Sequence, residues 1–109
     1  MRIKEGVRIH GLRAEMLVAL MVAEGVYRAN GHQLVVTSAI DGKHSRGSRH
    51  YSGLAVDLRT RNIPVPEGFD PKEVHGTIRD LIAKNLGPDF DVVLESDHIH
   101  LEHHAKTPY

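Results

Sequence analysis

The chain passes from a polar loop into a strand within residues 48–60, SRHYSGLAVDLRT. Apolar and polar residues alternate in the second half of this stretch, and side chains of a strand point alternately to its two faces. Val56 and Leu58 therefore face one way, while Asp57 and Arg59 face the other. The alternation predicts a strand with one face in a hydrophobic core and one face that carries polar groups.

Two helices are predicted, one on each side of this strand in the sequence. Apolar residues recur at helical spacing over residues 12–30, and Asn30-Gly31 ends this helix because both residues tolerate positive φ. The second helix covers residues 70–86. Asp70 suits its N-cap and Gly87 its C-cap.

The remaining segments predict further strands. Residues 34–37 form a short β-branched run, and residues 90–95 and 98–102 predict a hairpin that turns at Ser96-Asp97. The order of elements is helix, strand, loop, strand, helix and hairpin. It favours a single α+β domain, residues 1–109, with a largely antiparallel sheet flanked by two main helices.

The composition restricts the partners of the protein. Lysine plus arginine equals aspartate plus glutamate at 14 each, so the 109-residue chain has a formal net charge of zero. Nucleic acids and anionic membranes are bound through cationic surfaces, so we expect neither partner. The absence of cysteine excludes disulfides and zinc sites made of thiolates. The longest apolar run, residues 16–23, is too short to span a bilayer.

Histidine is frequent, and most of it lies in the second half of the chain. Of nine histidines, seven fall within residues 44–104, and imidazole is a common metal ligand. His50 lies late in the polar loop, Asp57 lies on the polar face of the following strand, and the pair His98 and His100 shares one face of a hairpin strand. A loop, a strand and a neighbouring strand can bring these donors to one metal ion.

Two motifs in these segments resemble those of a known family. Residues 48–57 match the pattern Ser-x-His-x-x-Gly-x-Ala-x-Asp, and residues 98–100 match His-x-His. Together they resemble the zinc D-alanyl-D-alanine carboxypeptidase superfamily, which includes phage endolysins and murein endopeptidases. The hedgehog signalling domain shares the fold of this superfamily. The resemblance extends over most of the chain, from the first helix through the hairpin.

The resemblance implies a role for each matching position. His50, Asp57 and His100 would bind one zinc ion, and His98 would lie beside the metal and stabilise the tetrahedral intermediate. Zinc lowers the pKa of a bound water to about 7, and a nearby carboxylate would take the proton of that water. Ser48 would orient the loop.

Two carboxylates are candidates for this proton transfer. Several family members have an acid three residues before the last ligand, which points to Asp97. Hairpin geometry favours Glu95, because a two-residue turn would make it the cross-strand neighbour of His98 on the same face. The sequence leaves both alternatives open.

Substrate binding is assigned to the polar loop. A peptide with a free carboxylate requires a cationic partner, and Lys43, Arg46 and Arg49 precede the first ligand. Arg46 is the preferred candidate. The chain lacks the tryptophan that some carboxypeptidase and dipeptidase relatives have beside the last ligand, so the bond that is cut stays open.

The sequence thus predicts a zinc metallopeptidase that hydrolyses the stem peptides of peptidoglycan. The expected activity is that of a D-Ala-D-Ala carboxypeptidase or of an endolysin-type endopeptidase that cuts bonds such as L-Ala-D-Glu. We expect a monomer without a signal peptide, made in the cytoplasm and acting on the bacterial cell wall, as a phage-encoded or released enzyme would. The alternative is a non-catalytic binding module braced by zinc, or a structural component of a phage with this fold.

Overall fold

Five strands form one sheet in the order β1-β2-β3-β5-β4, and two helices pack against it. The computed structural model describes residues 1–40, 49–50 and 52–106. The elements are β1 (Arg2–Ile3), α1 (Ala14–Ala29), β2 (Val35–Ser38), β3 (Ala55–Arg59), α2 (Pro71–Leu86), β4 (Phe90–Leu94) and β5 (His98–His103).

The sheet is mixed rather than antiparallel, which corrects the sequence-based prediction. The pairs β2–β3, β3–β5 and β4–β5 are antiparallel as expected, but β1 lies parallel to β2. Strand β1 has only two residues, and such a short segment shows no alternation from which a strand can be predicted. The predicted α+β class, with one domain and two helices, agrees with the structure.

Both helices begin and end near the predicted positions. The carboxylate of Asp70 accepts a hydrogen bond of 2.9 Å from the backbone N–H of Lys72, which caps α2. At the other end Gly87 has a φ of 86° and donates its N–H to Ala83. Helix α1 has no side-chain cap at its first turn, so its stability comes from its buried face.

The two faces of the sheet differ in character, and this difference positions the site. Val56 and Leu58 of β3 and Ile99 and Leu101 of β5 are fully buried in one core with residues from both helices. The side chains between them in sequence project to the opposite face, which the helices leave open. The hydroxyl of Tyr27 reaches from α1 to donate to the carbonyl of Arg59, and burial raises the pKa of this tyrosine.

None of the helices in the described part of the chain is long and apolar enough to cross a membrane.

Candidate metal centre

Asp57 and His100 are brought together by the pairing of two strands. They lie directly opposite each other in the antiparallel register of β3 and β5. Their neighbours in each strand are buried in the core, so both side chains project from the open face. The imidazole Nδ1 of His100 lies 3.0 Å from Oδ1 of Asp57.

His50 reaches the same point from the turn that precedes β3. Its side chain is only 3% exposed, although histidine is a polar residue. Nδ1 lies 2.7 Å from the backbone carbonyl of Ala39, and a carbonyl can only accept, so Nδ1 carries the proton. This hydrogen bond leaves the lone pair of Nε2 directed towards Asp57 and His100.

The backbone of this turn depends on Gly53. Its φ is 75°, a conformation that side chains disfavour, and a Cβ there would collide with the carbonyl of Gly11. Gly53 also donates to the carbonyl of His50 and accepts from the N–H of Arg13. The glycine of the motif therefore lets the turn pack against residues before α1, and this contact positions His50.

Three donor atoms meet at the centre of the site. Nε2 of His50 lies 3.2 Å from Oδ1 of Asp57 and 3.3 Å from Nδ1 of His100. With the 3.0 Å between His100 and Asp57, the three atoms form a nearly equilateral triangle. This arrangement of His50, Asp57 and His100 can hold one metal ion.

The charges of the metal-free site are strongly coupled. Burial opposes ionisation of Asp57, but the hydrogen bond from His100 and the adjacent imidazole of His50 outweigh it and lower the pKa of the carboxyl. The hydrogen bond to Asp57 raises the pKa of His100 to about 9, against the effect of burial. The proton held by His100 thus occupies the place that a cation would take.

A second carboxylate orients His100 from its other side. Nε2 of His100 lies 2.8 Å from Oε1 of Glu102, two residues along the same face of β5. Oε2 of Glu102 in turn lies 3.2 Å from Nε of Arg49. A carboxylate behind a metal-binding imidazole fixes its tautomer and increases its basicity. This role of Glu102 is not predicted from the sequence above, although Glu102 lies two residues after His100 and therefore shares its strand face.

His98 and Asp97 form a pair beside the three donors. Nδ1 of His98 donates to Oδ1 of Asp97 at 2.6 Å, while Nε2 lies 3.7 Å from Oδ1 of Asp57. The hydrogen bond from His98 lowers the pKa of Asp97, whose side chain is largely exposed. His98 is therefore the group of the pair that lies nearer to the candidate metal position.

Glu95, the other candidate for proton transfer, lies elsewhere. Its N–H donates to the carbonyl of His98 at 2.8 Å, as expected for a hairpin with Ser96 and Asp97 in the turn. Its side chain is nevertheless not in the cavity that Asp57, Asp97 and His98 line. Glu95 lines a separate cavity of about 540 Å³ together with the first residues of α2.

The predicted substrate-binding residues of the loop lie mainly outside the described part of the chain. Lys43, Arg46 and Ser48 all fall within residues 41–48. Arg49 is described, and its guanidinium pairs with Glu102 rather than facing the candidate metal position.

A second group of possible ligands lies at the far end of the β4–β5 hairpin. Asp91, Glu102 and His104 are close enough to share a cation. Asp91 is already paired with Lys106 at 2.6 Å, and Glu102 is paired with Arg49 and His100. These pairs neutralise the acids, so the group is weaker as a metal site than the first.

Comparison of the chain with models of protein families, with curated proteins and with solved structures gave no match.

Proposed function

We propose that the protein is a zinc-dependent peptidase that hydrolyses the stem peptides of bacterial peptidoglycan. The observation that carries this proposal is the meeting of His50, Asp57 and His100, which come from two motifs about 50 residues apart in the chain. Two imidazoles and one carboxylate are a common ligand set of catalytic zinc, which leaves a fourth position for water or substrate.

The spacing of the donors supports zinc as the metal. Zinc binds nitrogen and oxygen ligands at about 2.0–2.1 Å in a tetrahedron, whose edges are then about 3.3 Å long. The three donor–donor distances of the site are 3.0, 3.2 and 3.3 Å. Larger ions such as Ca²⁺ take six to eight oxygen ligands, which this site does not offer among the described residues.

Hydrolysis of a peptide bond requires a nucleophile, stabilisation of negative charge and a proton acceptor. Bound zinc supplies an activated water and polarises the carbonyl of the scissile bond. The hydrogen bond to Asp97 places the proton of neutral His98 on Nδ1 and leaves Nε2 free to accept one. Once protonated, the imidazolium could donate from Nε2 to the oxygen on which negative charge develops, and its proton would then pass to the leaving amine as the C–N bond breaks. We therefore assign proton transfer to the Asp97–His98 pair rather than to Glu95.

The class of substrate follows from the paired motif. The patterns at residues 48–57 and 98–100 resemble the zinc D-alanyl-D-alanine carboxypeptidase superfamily, whose members cut cell-wall peptides. The activity would be that of a D-Ala-D-Ala carboxypeptidase or of an endolysin-type endopeptidase. In either case the protein would act on the cell wall.

Mass spectrometry of digested peptidoglycan tests this proposal. Protein loaded with one equivalent of zinc should release new amino termini at one type of peptide bond, whereas the His50→Ala variant should bind little zinc and release none. If the zinc-loaded protein leaves purified sacculi and soluble muropeptides intact, the proposal is wrong.

The proton-transfer assignment is tested by matched variants of the acids. Asp97→Asn should keep zinc and lose about a hundredfold in turnover, in line with the usual contribution of acid–base groups. Glu95→Gln, which removes the same charge from the neighbouring cavity, should remain within about twofold of the parent. The opposite pattern would transfer the role to Glu95.

A non-catalytic role for the metal is the second candidate function. The ligands join the turn before β3 to β3 and β5, so a bound cation would brace three segments of the chain. Such a module would bind peptidoglycan or serve as a structural part of a phage particle without cutting a bond. It should then retain its binding to sacculi in the Asp97→Asn variant, and neither protein should produce new amino termini.

A further inference from the structure

A cationic cavity adjoins the metal centre on the side of β2 and β1. It has a volume of about 410 Å³, and Asp57, Asp97 and His98 form one part of its lining. The other part includes three basic side chains, Lys4, Arg59 and Arg61. The cavity therefore connects the candidate metal position to a cluster of positive charge.

Among the described residues, the basic side chains of this cavity have no acidic partner. No acidic side chain in the described parts of the chain forms an ion pair with Lys4, Arg59 or Arg61. The two acids of the cavity are already engaged, because Asp57 accepts a hydrogen bond from His100 and Asp97 accepts one from His98. Within the part of the chain that the structure describes, these three cations are thus left for an anion from outside.

Arg59 is the best placed of the three cations. It lies two residues after Asp57 on the same face of β3 and directly opposite His98 of β5. Two residues of a strand span about 7 Å, which an arginine side chain can partly bridge. Consecutive Cα atoms of a peptide are about 3.8 Å apart, so a carboxylate one residue beyond the scissile bond falls between the metal position and Arg59.

We propose that this cavity is a carboxylate subsite in which Arg59, assisted by Lys4 and Arg61, binds a free carboxylate of the residue next to the scissile bond. This inference rests on the proposed peptidase function. The sequence alone favours Arg46, which precedes His50, as the residue that binds the carboxylate, whereas this proposal gives that role to Arg59, which follows Asp57.

Peptidoglycan offers two sources of such a carboxylate. One is the terminal carboxylate of a D-Ala-D-Ala stem, and the other is the α-carboxylate of D-glutamate, which is left free by the γ-linkage of that residue. Both present the same group to a guanidinium, and both can be replaced by a carboxamide of nearly the same size. This replacement removes the charge and leaves the rest of the peptide unchanged.

The experiment measures kcat/KM of the zinc-loaded protein on two matched pairs of peptides. The first pair ends in D-Ala-D-Ala as the acid or the carboxamide, and the second contains L-Ala-γ-D-Glu or its α-amide. In the pair that is cut, the amide should react about ten- to a hundredfold more slowly, since an ion-paired hydrogen bond is lost. The pair that shows the effect identifies the source of the carboxylate.

Variants of Arg59 connect this preference to the cavity. Arg59→Gln should lower kcat/KM for the acid but not for the amide, so that the two differ by less than about threefold, and Arg59→Lys should restore part of the preference. Arg28→Gln is the control, since Arg28 is exposed on α1, pairs with Glu24 and does not line the cavity. Zinc content and melting temperature are measured for each variant.

Each outcome has a distinct meaning. Equal losses for acid and amide in a folded, zinc-loaded Arg59→Gln variant would overturn the subsite while leaving the peptidase function intact. Equal rates for acid and amide in the parent protein would do the same. Failure to cut any of the four peptides or intact sacculi would instead reject the proposed function.

Discussion

Replacement of Glu102 by glutamine removes the negative charge behind His100 while keeping the size of the side chain. Oε1 of Glu102 lies 2.8 Å from Nε2 of His100, and Oε2 lies 3.2 Å from Nε of Arg49. If zinc binds as proposed, Nδ1 of His100 gives its electron pair to the metal, so Nε2 would carry the proton and donate to Glu102. The charge of this carboxylate increases the basicity of the ligand.

The size of the effect follows from what each variant retains. Loss of such an outer partner costs about 10- to 100-fold in metal affinity. Glutamine can still accept from Nε2 through its amide oxygen, so we expect Glu102→Gln at the lower end, about tenfold, or about 1.4 kcal/mol. Glu102→Ala loses the contact as well and should approach a hundredfold. Arg49→Met leaves the contact of 2.8 Å between Glu102 and His100 in place and should cost less than either.

The assay is a competition for zinc against a chromophoric chelator at constant pH and ionic strength. Glu67→Gln serves as the control, because Glu67 is exposed and lies in the connection before α2. The expected order of zinc affinity is control, Arg49→Met, Glu102→Gln and Glu102→Ala. If Glu102→Ala binds zinc as tightly as the control, His100 is not a ligand through Nδ1, and the assignment of the site is wrong.

Three further predictions concern stability. Gly53→Ala should lower the free energy of unfolding by about 2 kcal/mol or more, because of the positive φ and the collision with Gly11. Gly76→Ala should raise it by about 0.5–1 kcal/mol, because Gly76 lies within α2 and has open space where the Cβ would be. Urea titrations that show equal effects of the two variants would contradict this reasoning. Asp70→Ala should cost about 1 kcal/mol through loss of the N-cap while Asp70→Asn costs little, and equal losses in thermal unfolding would refute the cap. The pKa of His100 is raised to about 9 in the folded, metal-free protein and is about 6.5 when unfolded, so the stabilisation is fully present below pH 6.5 and is lost as the pH rises through 9. The metal-free protein should thus lose about 3 kcal/mol between pH 6 and pH 10 relative to His100→Gln, because each pKa unit corresponds to about 1.4 kcal/mol. Urea titrations in which both proteins fall equally would contradict this.

The pattern of the sequence predicts the candidate metal centre better than its surroundings. Alternation in β3 and β5 fixes which side chains share a face, and the structure accordingly pairs Asp57 with His100. The outer partner Glu102 follows from the same rule, since it lies two residues after His100. A motif that contains only metal ligands does not include Glu102, because Glu102 contacts the imidazole of His100 and not the candidate metal position.

The choice between Asp97 and Glu95 illustrates what alternation cannot predict. Strand β4 ends at Leu94 and β5 begins at His98, so both acids lie in or beside the turn, where the two-residue period no longer applies. The direction of each side chain there depends on the turn conformation and on what packs against it. Asp97 turns back to His98, whereas Glu95 lines a cavity with the start of α2.

The basic residues of the cavity show a different limit. Arg59 was assigned to the polar face of β3, but its relation to Lys4 depends on β1, which pairs with β2 through residues at the start of the chain. The two-residue strand β1 pairs with β2 across more than 30 positions, and so short a strand leaves no periodic signal in the sequence. The cluster of positive charge can therefore be recognised only after the chain is folded.

The register of β3 against β5 joins the fold to the chemistry. A slip of one residue in either strand would move its histidine or aspartate into the core and would expose a buried residue such as Leu58 or Ile99. The hydrophobic residues thus select the register in which Asp57 faces His100, without any contribution from the metal. Because His50 is then held by the carbonyl of Ala39, the three donors are already close together before a cation binds. Binding of a metal would also have to displace the proton from His100, so metal affinity should rise with pH through the range in which that imidazole ionises.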